Sequence, residues 1–247
     1  MADPVVGDDE EDTGLTEAAP ADAASADAAP ADTAPADTAP ADAAPADAAP
    51  ADAALLDAAP VEARCRLVWV LDYSGSMEHP LGGSTRIELL RSAVASALGQ
   101  PLPIDHGLVI FSSEVQATVA PGRDAPEAIR AVLGLPADGN TNYSAAIAAA
   151  AELLGELESS SDVALFASDG APTAGGDPYP AADALRAGGV TVFTLNIGGG
   201  GAQSDLLKDM SGTAERPGDE AFSFEARDEA QLTWAVAAFL AALPCAQ

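Results

Sequence analysis

Leu67-Val68-Trp69-Val70-Leu71-Asp72-Tyr73-Ser74-Gly75-Ser76 puts five consecutive apolar residues directly ahead of one carboxylate and two hydroxyls. A short, wholly apolar run bounded by turn residues reads as a strand buried on both faces, the kind found in parallel sheets. The Asp-x-Ser-x-Ser that follows is then a tight turn at the strand's carboxyl end. By itself it is equally an ordinary turn, because Ser and Asp favour turns for their own backbone hydrogen bonds. Two later segments change that balance. Gly139-Asn140-Thr141 offers a third hydroxyl ahead of a helix, and Ser168-Asp169-Gly170 offers a second carboxylate after the apolar strand Val163 to Ala167.

Asp72, Ser74, Ser76, Thr141 and Asp169 are all hard oxygen donors. An all-oxygen shell disfavours zinc and copper and suits Mg²⁺ or Mn²⁺, with Ca²⁺ also admissible; Mg²⁺ takes about six oxygens and keeps some waters. Five protein positions leave at least one for water or an incoming ligand. Two carboxylates barely neutralise such an ion, so it should attract an external acidic group.

The three segments resemble the metal-ion-dependent adhesion site of the von Willebrand factor type A domain, the integrin I-like domain. The resemblance covers roughly residues 65 to 245, and Asp72, Ser74, Ser76, Thr141 and Asp169 match its ligand positions one by one. Gly139-Asn140-Thr141 departs from the commoner Gly-Gly-Thr. The resemblance implies a Rossmann-like fold and a protein partner that presents an Asp or Glu carboxylate to the ion. It also admits a cytosolic subunit that works with an AAA+ ATPase.

Around these segments, strand and helix signals alternate. Strands are expected at Arg66 to Leu71, Gly107 to Ser112, Val115 to Ala120, Val163 to Ala167, Thr191 to Ile197 and Ala221 to Phe224. Thr85-x-x-Glu88 is a capping box for a helix with Ile87, Leu90, Val94 and Leu98 on one face. Ile147, Ala151, Leu154 and Leu157 mark a helix after Thr141. Asp228 caps a last helix, with Gln231 at the capping-box position and Leu232, Val236, Phe239 and Leu243 as its buried stripe. Only Ser113-Glu114 separates the second and third strands, which calls for a hairpin. The expected fold is therefore α/β: a doubly wound, mostly parallel six-stranded sheet with one antiparallel edge strand and helices on both faces. Ligands of such sheets gather at the carboxyl ends of the strands, where Asp72 and Asp169 fall.

Two domains of different character are expected, 1–60 as a spacer and 61–247 as the folded unit. Residues 1 to 60 hold 15 Asp and Glu and neither Lys nor Arg, so they carry −15 of the formal −29 and leave −14 for the remainder. From Pro20 to Pro60 a five-residue unit, Ala-Asp-Ala-Ala-Pro, repeats with Asp at 22, 27, 32, 37, 42, 47, 52 and 57. Proline at that spacing excludes a continuous helix, and evenly spaced like charges resist collapse. At about 3.1 Å per residue a polyproline-like spacer of this length reaches roughly 100 Å. A merely solubilising tail is the alternative. Leu55-Leu56 interrupts the repeat and is a candidate to pack on the domain edge.

The charge excludes nucleic acid as a partner, since no basic patch exists to neutralise phosphates and Lys208 is the only lysine. The two cysteines, Cys65 and Cys245, bracket the domain. Domain termini often lie close together, so a bridge between them is expected, and with it an oxidising location at the cell surface, in the periplasm or outside. Two reduced thiols in a cytoplasmic protein remain the alternative. No apolar stretch near Met1 resembles a secretion signal and no segment is long enough to span a bilayer. Export would then need a signal segment, or a lipid anchor, that this sequence lacks.

No enzymatic activity is expected. His79 follows Ser76 by three residues but has no orienting partner in any motif. Ser74 and Ser76 lack a His-Asp relay, which leaves a metal-assisted hydrolase as the weaker reading. Gly198 to Gly201 lacks the Gly-Lys-Ser ending of a phosphate loop and is expected to be a flexible connection. The working expectation is a monomeric, metal-dependent protein-binding module on an acidic spacer.

Overall fold

Every residue of strand β1 (Cys65–Asp72) is buried, because it forms the middle of a sheet covered on both sides. The structure is a computed structural model that describes residues 65–155, 161–198, 200–243 and 245. The acidic repeat, Leu55-Leu56 and the expected helical position Leu157 lie outside those residues.

After β1 come a 3-10 turn (Gly75–Glu78), the short strands β2 (Pro80–Leu81) and β3 (Ser84–Thr85), and helix α1 (Arg86–Ala97). Strands β4 (Ile104–Phe111) and β5 (Val115–Gly122) precede helices α2 (Ala125–Val132) and α3 (Tyr143–Gly155). The second half runs β6 (Asp162–Ser168), α4 (Tyr179–Ala187), β7 (Thr191–Ile197), α5 (Ala202–Met210), a 3-10 turn (Glu220–Phe222), β8 (Ser223–Ala226) and α6 (Glu229–Ala242). The six-stranded sheet has the order β5-β4-β1-β6-β7-β8, and only the β4–β5 pair is antiparallel. Among the described residues no helix is long and apolar enough to cross a membrane.

The period-2 alternation of each strand divides the core in two. Leu67, Trp69 and Leu71 face α1, α2 and α6, whereas Val68 and Val70 face α3, α4 and α5. α1 starts where its capping box requires: Thr85 Oγ1 accepts from Glu88 N at 3.3 Å and Glu88 Oε2 accepts from Thr85 N at 2.9 Å. Ile87, Leu90 and Val94 are its buried stripe, with Leu98 as the cap residue. α6 buries Leu232, Val236 and Phe239, and Asp228 Oδ1 accepts from Gln231 N at 2.8 Å. The Gln231 side chain accepts from Arg227 N rather than from the cap residue.

Several boundaries differ from the sequence reading. β4 begins at Ile104, not Gly107, because Ile104, Asp105 and His106 pair in register with Cys65, Arg66 and Leu67. His106 broke the apolar pattern yet lies buried, stacked on Trp69 and accepting its indole N–H at Nδ1 over 3.2 Å. Beside it, Gly107 passes so close to β5 that a Cβ there would meet Pro121 at 2.9 Å. β5 runs on to Gly122, and β8 begins two residues late because the 3-10 turn takes up Ala221 and Phe222. In α3 the buried residues are Tyr143, Ala146, Ile147, Ala150 and Leu154, with Ala151 only half-buried. Gly198, directly after β7, donates its N–H to Ala226 O at 2.6 Å.

Cys65 and Cys245 are disulfide-bonded, with Cα atoms 5.7 Å apart. The bridge joins the start of the central strand to the chain just past α6.

Candidate metal centre

The turn after β1 is held from three sides. Tyr73 N donates to Phe111 O at 2.7 Å, and the buried Tyr73 hydroxyl donates to Leu133 O at 2.8 Å. Ser74 N then donates back to Asp72 Oδ1 at 2.7 Å, the two-residue carboxylate turn that Asp-x-Ser favours. Gly75 N donates to Gly139 O at 3.0 Å, which ties this turn to the second segment.

Gly139 has φ +83°, and a Cβ there would lie 2.8 Å from Ser113 Oγ. The first glycine of Gly139-Asn140-Thr141 is therefore required both by conformation and by space. Asn140 N donates to that same Ser113 Oγ at 2.8 Å, so the departure from a second glycine leaves an exposed side chain and a bonded backbone. Thr141 N donates to Thr173 Oγ1 at 3.0 Å, and Thr141 O accepts from Thr173 N and Ala174 N. These bonds lace the second segment to the loop beyond β6, which carries Asp169.

The result is a cavity of about 440 Å³ at the carboxyl end of the sheet, lined by Ser74, Ser76, Thr141 and Asp169 together with Arg86 and Thr173. Asp72 lies beneath it, fully buried. The structure thus brings all five sequence-predicted ligands to one place. His79 stands apart, as the exposed cap of the 3-10 turn.

The donor set fits a small hard cation. Ser74 Oγ and Ser76 Oγ are 3.1 Å apart, and Ser76 Oγ is 2.7 Å from Asp169 Oδ1. Oxygens on adjacent corners of an octahedron with about 2.1 Å bonds are separated by roughly 3.0 Å. Hydrogen-bonded hydroxyls keep the same spacing, so this set can exchange shared protons for an ion with little movement. Among the described residues no group of three or more His, Cys, Asp or Glu side chains could hold a metal ion, so an ion bound here would need hydroxyl oxygens beside the two carboxylates.

Asp72 shows the same demand electrostatically. Burial pushes its carboxyl up to about 6, against the hydrogen bonds from Ser168 and Ser74 that pull it down. Ser168 Oγ donates to Asp72 Oδ2 at 2.6 Å, and Tyr143 donates toward Ser168 Oγ at 2.7 Å with Gly170 O alongside. Both oxygens of Asp72 therefore rest on neutral donors. Burial likewise raises the Tyr143 hydroxyl, which stays a proton donor.

Residues 67–237 match the von Willebrand factor type A domain. The chain belongs to that family. Its fold is also found in solved structures of low sequence identity. The pilus adhesin SpaC from Lactobacillus rhamnosus GG, in its open conformation, aligns with a TM-score of 0.58 at 15% identity, over 70% of this chain and 29% of that one. The PilB minor pilin from Streptococcus sanguinis aligns with a TM-score of 0.56 at 14% identity, over 71% of this chain and 60% of that one. Proximal thread matrix protein 1 from the mussel byssus, in a structure with a zinc occupied MIDAS motif, aligns with a TM-score of 0.54 at 14% identity, over 72% and 45%. This chain thus spans less than two thirds of each of these proteins. No curated protein matches its sequence.

Within this type A domain, sequence reading missed four residues of the site. Ser168, on the neighbouring strand β6, and Tyr143, on α3, shape Asp72 through hydrogen bonds, and Thr173 positions Thr141. Arg86 reaches in from the start of α1, pairing Nη1 with Asp169 Oδ2 and lying 3.5 Å from Ser76 O. Ser168 stood next to Asp169 in the motif and could have been weighed. Arg86 could not, since only the placement of α1 against the turn brings it there.

Proposed function

We propose that this type A domain is a protein-binding module that captures a partner's Asp or Glu carboxylate through a bound Mg²⁺ or Mn²⁺. The observation that carries the reading is the convergence of Ser74, Ser76, Thr141 and Asp169 on one open cavity above the buried, charge-uncompensated Asp72. When bound, the ion supplies a positive position with room for an external oxygen. Asp72 and Asp169 bring negative charge and the hydroxyls bring neutral oxygens, while the laced backbone holds the three loops in place. With two carboxylates opposed by one guanidinium, a divalent ion leaves the site with net positive charge. Adhesins and a matrix protein among the fold neighbours are in keeping with this use.

The reading is of binding rather than catalysis: the described residues lining the cavity offer Ser74 and Ser76 no His to activate them as nucleophiles, which favours their use as ion donors. The disulfide supports an exported protein at the cell surface or beyond it. The acidic repeat would act as a spacer that supplies reach, and the domain as a monomer. The −14 of residues 61–247 favours a partner whose carboxylate sits in a neutral or basic surround.

Affinity capture from envelope extracts, with Mg²⁺ and with EDTA, tests the reading. Capture should vanish with EDTA and in Ser74→Ala/Ser76→Ala protein, and should survive removal of residues 1–58. A partner held equally well under both conditions would place the binding surface elsewhere.

A further inference from the structure

Among the described residues lining the cavity, Arg86 bears the sole positive charge. It is the first residue of α1, its backbone N–H held by His79 O at 3.1 Å directly after the Thr85 cap. The side chain then crosses Gly198 so closely that a Cβ there would lie 2.8 Å from Arg86 Nε. Nε is buried and has no hydrogen-bond partner, so the chain is threaded through this gap by packing. At its end Nη1 meets Asp169 Oδ2, while Ser76 Oγ occupies Oδ1 at 2.7 Å. The Asp169 side chain is fully buried and that of Arg86 is 18% exposed, so the pair is poorly screened by water and salt.

We infer that Arg86 is a built-in countercharge that holds down the affinity of the site for a bare cation and favours uptake of cation and carboxylate together. The inference rests on the function proposed above and deepens it. Asp72 and Asp169 alone would carry two negative charges, which a divalent ion cancels, and an arriving carboxylate would then make the site negative again. With Arg86 in place the fixed charge is a single negative one. The ion overshoots it, and the carboxylate of the ligand restores neutrality. Removing the guanidinium charge must therefore move the two affinities in opposite directions. A residue that merely props Asp169 would, when removed, weaken both.

The test is calorimetric titration of the intact protein with Mn²⁺, in potassium chloride and in potassium acetate of equal ionic strength, acetate being the carboxylate probe. The wild type, Arg86→Gln and Arg86→Lys are compared. A poorly screened unit charge bordering the cavity changes the affinity for a divalent ion by on the order of tenfold or more. Arg86→Gln should bind Mn²⁺ about that much more tightly than wild type in chloride, and should lose the enhancement by acetate that wild type displays. Arg86→Lys, which keeps the charge, should stay near wild type in both salts. Arg86→Gln binding Mn²⁺ no more tightly than wild type would overturn the countercharge, as would Arg86→Lys behaving like Arg86→Gln. Failure of the wild type itself to take up Mn²⁺ is a different result, because it brings down the proposed function together with this role.

Discussion

Asp72 and His106 are both buried titratable residues at opposite ends of the central strands, and their surroundings make opposite demands. Asp72 is held among neutral donors, a setting that a bound cation would complement. Saturation at 100 times the dissociation constant stabilises a folded state by about 2.7 kcal/mol. Thermal unfolding of the wild type should rise accordingly on adding Mg²⁺ or Mn²⁺, whereas Asp72→Ala and Thr141→Ala should show no increment. A wild-type melting temperature indifferent to millimolar ion would remove the site. His106 is instead kept neutral: burial pushes it down to about 4, Arg130 adding to that and Asp105 opposing it. The unfolded chain takes up a proton near pH 6.5 and the folded chain only near 4, so stability is retained above 6.5 and lost as pH falls through that window. At 1.36 kcal/mol per pH unit the loss is about 3 kcal/mol. His106→Gln, which keeps an acceptor for Trp69, should shed less stability than wild type between pH 7 and 4 by that amount, as read from urea unfolding. Equal losses would show that His106 does not govern the acid limb.

At the scale of elements, α1 links stability to the site because its cap and its first residue are neighbours. Thr85→Ala removes the acceptor for Glu88 N and should cost about 1 kcal/mol, measured as a lower denaturant midpoint at unchanged slope. A destabilisation under 0.3 kcal/mol would mean that the α1–α6 packing alone holds the helix start. This capping box, the apolar run of β1 and the β4–β5 hairpin were legible in the sequence because each is a local signal, although the hairpin loop is three residues, Ser112 to Glu114, rather than the two expected, since β4 ends at Phe111 paired with Val115. The site's five oxygens were legible for the same reason, each lying at the end of a strand or the start of a helix. What local pattern could not reach were the contacts made by sheet register. The three extra residues of β4 come from pairing with β1 and include a polar Asp105-His106 pair that reads as loop. α2, α4 and α5 carry few large apolar residues each, and none was placed individually. Arg86 belongs to no local motif, and only the crossing over Gly198 directs it to Asp169.

Across the whole molecule, the disulfide and the site lie at opposite ends of one strand. β1 starts at Cys65 and ends at Asp72, and at about 3.3 Å per residue the two are separated by roughly 23 Å. The bridge closes a loop with a sequence separation of 180 residues, whose removal in the chain-entropy picture costs up to about 5 kcal/mol. That cost falls on the unfolded ensemble and on the seam between β1 and α6, whereas the site is fixed by hydrogen bonds among the loops at the other end of the sheet. Cys65→Ser/Cys245→Ser protein should therefore unfold at a markedly lower temperature and still gain the same increment from Mn²⁺ as the oxidised wild type. Loss of the increment along with the stability would mean that the bridge sets the geometry of the loops through the sheet. The same melting temperature in both proteins would mean that sheet and helices already hold the two termini together, and the argument for an oxidising location would lose its physical basis.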